Sequence, residues 1–85
     1  FGGTGKYSLT LEELKVELAR GKYPIVYLET ILAVGQRAQC HAVVVASINN
    51  DEVHLHDPAR GRIIYTLERF TREWRRFHEM AIIIE

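Results

Sequence analysis

The sequence predicts an α+β fold, one antiparallel sheet flanked by one or two helices. Two amphipathic segments with helix-capping residues and a series of β-rich runs carry that expectation. The three central runs are joined by short turns, which force antiparallel pairing. With 85 residues the chain makes one small domain. A hydrophobic fraction of 47% and a charged fraction of 26% are ordinary for a globular fold and exclude disordered, collagen-like and low-complexity classes.

Phe1 to Tyr7 holds Gly2, Gly3 and Gly5 and reads as a flexible lead-in over residues 1–8. It lacks the Lys-Ser/Thr close of a phosphate-cradling loop. Residues 9–85 then form a single unit. Thr10-Leu-Glu-Glu13 is a capping-box pattern. Leu11, Leu14 and Leu18 follow at helical spacing and Gly21 offers a left-handed stop, so the first helix spans about 11–20.

Pro24 opens an extended β-branched and aromatic run to Ile31. Residues 35–39 are polar and read as a loop. His41 to Ile48 is apolar on both faces, the mark of a central strand. Asn49-Asn50-Asp51 is a turn. Strands follow at Val53–Asp57 and Arg62–Tyr65, separated by the turn Pro58-Ala-Arg-Gly61. Thr66 caps a second helix near 67–76, with Leu67, Phe70, Trp74 and Phe77 on one stripe. Met80 to Ile84 closes the chain as a strand.

Eleven basic residues balance eleven acidic ones, so no bulk charge draws the chain to nucleic acid or an anionic membrane. The six arginines at 60, 62, 69, 72, 75 and 76 read as a solvated helix face, partly offset by Glu68 and Glu73. No apolar run approaches the length of a membrane span or a signal-peptide core. The lone Cys40 forms no internal disulfide. The chain opens on Phe1, which suggests a piece processed or excised from something longer.

Chemistry concentrates at two strand ends. His41 opens the central strand and Asp57 closes the next one. Pairing through the 49–51 turn brings both to one end of the sheet. A carboxylate beside a histidine fixes the imidazole tautomer and stabilises the imidazolium formed during proton transfer. Pairing register decides whether they meet. A three-residue loop puts Ile48 opposite Glu52 and sets His41 and Asp57 on one face, whereas a two-residue loop sets them on opposite faces. Cys40 and His41 are adjacent on a strand and point to opposite faces, so Cys40 reads as structural. His54 and His56 share a face, which suits a metal, but a site needs further ligands and a solvent-facing pair is the simpler reading. No cofactor or metal is expected.

The stretches Cys40–Ala46, Val53–Pro58 with Gly61, and Leu67–Trp74 resemble the C-terminal half of the bacteriocin-processing cysteine peptidases. These are papain-like enzymes, often the cytosolic domain of exporters that cleave after a double-glycine leader. Leu11–Val26 is similar to the helix and strand preceding the histidine in that family. The resemblance covers roughly residues 9–85 and implies the sheet lobe of a papain-like fold. It implies that His41 is the general base, that Asp57 orients it, and that the reaction is peptide-bond hydrolysis in the cytoplasm. That family's nucleophilic cysteine and oxyanion glutamine belong to an N-terminal half that this chain does not contain, so Gln36 and Gln39 do not take the glutamine's role. The expected partner is a peptide or protein substrate, or the N-terminal half of the same enzyme. The other reading is a non-catalytic peptidase-like module for peptide binding or oligomeric assembly, with a second copy as partner.

Overall fold

The structure is a computed structural model that describes residues 4–30, 39–76 and 78–84. Both helices begin where their caps dictate. Thr10 Oγ1 accepts from Glu13 N at 3.2 Å, and Thr10 N donates to Glu13 Oε1 at 3.0 Å. This reciprocal pair satisfies two amides that have no partner inside the helix, and α1 (Leu11–Ala19) starts there. Gly21, at φ +81°, ends it, with Gly21 N donating to Leu18 O and Lys22 N to Glu17 O, each at 3.0 Å. Thr66 Oγ1 accepts from Arg69 N at 3.1 Å and starts α2 (Leu67–Arg75).

Six strands complete the fold: β1 (Thr4–Ser8), β2 (Ile25–Thr30), β3 (Gln39–Ile48), β4 (Glu52–Asp57), β5 (Gly61–Thr66) and β6 (Met80–Ile84). They form one sheet in the order β1-β6-β2-β3-β4-β5, with every neighbouring pair antiparallel. The architecture is the α+β fold expected from the sequence. β3 lies inside the sheet, between β2 and β4, as expected, although only its Val43 and Val45 face enters the core.

Two expectations need correction. The glycine-rich segment 1–8 is not simply a flexible lead-in, because Thr4–Ser8 pairs along β6 from Thr4↔Ile84 to Ser8↔Met80. Its Gly5 and Lys6 are weak strand formers in the middle of the segment. The Ile-rich β6 supplies a backbone edge that they complete, so long-range pairing overrides local propensity. The polar loop placed at 35–39 also loses Gln39, which already belongs to β3. Residues 35–38, with Gln36, lie outside the described residues, as do Ile31 and Phe77.

The core lies on one face of the sheet. Val26, Leu28, Val43, Val45, Val53, Leu55, Tyr65 and Ala81 meet Leu14 of α1 and Phe70 and Trp74 of α2 in one buried cluster. Phe70 and Trp74 lie 5.5 Å apart between ring centroids. The buried Trp74 keeps its indole N–H satisfied by donating to Met80 O at 3.0 Å. Between α2 and β6 the chain reverses through His78 and Glu79, at φ 56° and 54°. This left-handed pair is unfavourable for L residues. Ser8 Oγ donates to His78 O at 2.9 Å and Leu9 N to Glu79 O at 3.0 Å, which fastens the reversal from the β1 side.

The β3–β4 hairpin has an irregular register. Near the turn Ile48 faces Val53 and Ser47 faces His54. Beyond Ala46, Val45 faces Leu55 and Val44 faces His56, so one extra residue is absorbed in β3 as a bulge. The turn therefore has neither of the two loop lengths considered from sequence. Left alone, its register would put His41 and Asp57 on opposite faces, and the bulge at Ala46 restores the parity that unites them.

Candidate active site

His41 and Asp57 meet on the helix-bearing face, at the end of the sheet remote from the β3–β4 turn. β2 places Leu28 opposite His41. His41 Nε2 and Asp57 Oδ2 form a short hydrogen bond. The Asp57 side chain is fully buried, and that of His41 is 31% exposed. The carboxylate is thus shielded while the imidazole keeps an open side.

The turn after β4 aims the carboxylate. Asp57 Oδ1 accepts from Ala59 N at 2.7 Å and from Arg60 N at 3.3 Å, an Asx turn that locks the side chain to its own backbone. Pro58 supplies the fixed φ of the first turn position. Gly61, at φ +76°, returns the chain into β5 in a conformation that a side chain would strain. Asp57 Oδ2 is left to accept from His41 and from Arg60 Nε, the latter at 2.7 Å. Both oxygens of the buried carboxylate are therefore fully engaged. Burial alone would raise the Asp57 pKa. Hydrogen bonds from Arg60, His41 and the Ala59 amide outweigh it and hold the carboxyl well below the usual carboxylate range.

With Nε2 bound to an ionised carboxylate, a neutral imidazole carries its proton there and its lone pair on Nδ1. That ring can accept a proton at Nδ1, and the buried Asp57 charge stabilises the resulting cation.

Cys40 is exposed and pairs with Glu29, one residue away from the His41–Leu28 pair. Alternation puts its thiol on the other face of the sheet from the imidazole. His54 and His56 also lie on that other face, opposite Ile64 and Arg62. Among the described residues no group of three or more His, Cys, Asp and Glu side chains is arranged to hold a metal. His78 sits in the α2–β6 reversal.

The arginine cluster is not uniformly a solvated helix face. Arg60 lies in the β4–β5 turn and binds Asp57. Arg69 stacks 3.9 Å from the Tyr65 ring centroid, donates to Tyr65 Oη at 3.3 Å and pairs with Glu73 at 2.8 Å. Sequence reasoning grouped Arg60 by charge alone. The signal that identifies it is its place three residues after the Asp of an Asp-Pro pair, where a turn folds it back onto the carboxylate.

The family model described as "Peptidase C39 family" matches residues 4–85. A curated relative, the "Lactococcin-G-processing and transport ATP-binding protein LagD" of Lactococcus lactis subsp. lactis, is 37% identical over 41 residues, 48% of this chain. The chain aligns with only 6% of that relative's length. No solved structure matches it. No helix among the described residues is long and apolar enough to cross a membrane. The match over nearly its whole length means that the chain belongs to the Peptidase C39 family.

Proposed function

We propose that this chain is the base-contributing lobe of a cysteine peptidase, with His41 as general base and Asp57 as the residue that orients it. The observation that carries this reading is the His41–Asp57 contact, a buried ionised carboxylate on a half-open imidazole. His41 Nδ1 takes the proton of a thiol, and the thiolate attacks the scissile carbonyl carbon. The tetrahedral adduct collapses, the C–N bond breaks, and the imidazolium gives its proton to the leaving amine. Water then hydrolyses the thioester, with His41 again taking a proton and returning it to the departing thiol. Cys40 faces away from His41 and does not serve as nucleophile, so the thiol comes from outside these residues, from an N-terminal half. The family supports a peptide substrate. The relative's printed role in processing lactococcin G supports a precursor of that kind as the substrate; cleavage after a double-glycine leader in the cytoplasm is what the family resemblance implies.

The test is His41→Ala in the complete protein that carries this chain. Peptide cleavage is expected to vanish while the fold survives, because the ring is a partly exposed rim residue. Undiminished cleavage removes the proposal. No cleavage by the native complete protein would instead favour a non-catalytic peptidase-like module, a reading that the turned-away Cys40 keeps in view.

A further inference from the structure

The carboxylate that holds His41 also holds a permanent cation. Arg60 Nε donates to Asp57 Oδ2 at 2.7 Å, and the same oxygen binds His41 Nε2. The arginine is not a loose surface charge that happens to swing near. Its own backbone amide donates to Asp57 Oδ1 at 3.3 Å, so main chain and side chain both close on one carboxylate. The β4–β5 turn fixes where its side chain begins.

We propose that Arg60 is a positioning residue that shares Asp57 with His41 and thereby limits the basicity of the imidazole. This rests on the reading of His41 as general base and specifies how that base is regulated. Two cations on one oxygen compete. Arg60 neutralises part of the carboxylate charge that would otherwise stabilise the imidazolium. Because both groups bind the same oxygen, a protonated ring would also share that oxygen with a second positive charge. The imidazole thus stays correctly oriented while remaining able to give its proton back to a leaving group. A carboxylate that held the proton too tightly would favour the first transfer and impede the second.

The other charged and titratable groups nearby fit this assignment. Tyr65 of β5, and after it Asp57, push the Arg60 guanidinium above its ordinary value, so its charge does not titrate with the histidine. From α2, Arg69 donates to both Glu73 and Tyr65. From β2, the residue opposite His41 is the apolar Leu28. Among these groups, Asp57 is the charge bound to the ring, and Arg60 is the charge bound to that same carboxylate.

The experiment is an NMR titration of the His41 imidazole in the complete protein that carries this chain and in its Arg60→Gln and Arg60→Lys variants. The glutamine variant is expected to raise the His41 midpoint by roughly half to one pH unit, and lysine to restore most of the difference because it keeps the charge. Midpoints equal in all three overturn the proposal. A second measurement needs no arginine variant. The Arg60 Nε proton should be protected from solvent exchange in the native chain and lose that protection in Asp57→Asn. Free exchange in the native chain also overturns it. Neither readout involves cleavage, so the peptidase proposal and this one fail independently.

Discussion

The two turns that flank β4 use the same local chemistry to different ends. At the start of the strand, Asn49 Oδ1 accepts from Asp51 N at 2.9 Å and Glu52 N at 2.7 Å. At its end, Asp57 Oδ1 accepts from Ala59 N and Arg60 N. Each is a side chain folded onto the amides that follow it. Asn49 is exposed, and its oxygen closes the turn. Asp57 is buried, and its second oxygen points to His41 and Arg60. One acceptor oxygen is enough to make a turn. A second acceptor, buried beside a histidine, turns the same motif into part of a site.

That difference is sharpest in Asp57→Asn. An amide has one acceptor oxygen, so the variant can satisfy the turn amides or the His41–Arg60 side, not both. On the proposed mechanism, cleavage by the complete protein falls on the order of 100-fold or more, because the imidazole loses its orienting charge. The thermal midpoint should fall as well, since a donor group must face other donors. Unchanged cleavage and unchanged melting would mean that the second oxygen contributes nothing.

A pH titration of stability separates the turns more gently. The Asp57 carboxyl lies well below its ordinary value when folded. An unfolded aspartate titrates near about 3.9. Its contribution is therefore fully present above that unfolded value, and it is lost as pH falls from there toward the lower folded value. Denaturant unfolding from about pH 6 to about pH 2 should show native stability falling more steeply than that of Asp57→Asn at the acid end. Parallel curves would deny the native carboxylate its special hold. Asn49 has no charge to lose, so Asn49→Ala should shift stability equally at every pH. The expected cost is about 0.5–1.5 kcal/mol for its side-chain hydrogen bonds. Asn49→Asp keeps the acceptor and should be the mildest change of all, within about 0.5 kcal/mol.

Much of this was legible in the sequence because it is local. The capping residues Thr10 and Thr66, the stop at Gly21 and the β4–β5 turn depend on neighbours a few positions away. β1 was not legible, because what makes Thr4–Ser8 a strand is β6, almost the whole chain away. His41 and Asp57 could be named as candidates from their strand ends, but their meeting depends on register. That depends in turn on a bulge with no sequence signature, since Ala46 sits in a smooth apolar run. Arg60 was hidden for a different reason. Charge counting grouped it with the helix arginines, whereas its partner is set by the path of the turn.

The single-residue slack at Ala46 has a practical consequence for anyone aligning or engineering such chains. A gap of one position in this hairpin is not neutral length variation. It acts as an on–off toggle for a pair of residues that it does not itself include. Homologues whose hairpins differ by an odd count should have compensated elsewhere in the ribbon, or lost the pairing. Grafts that copy the histidine and the aspartate without the intervening offset will carry the right letters in the wrong phase.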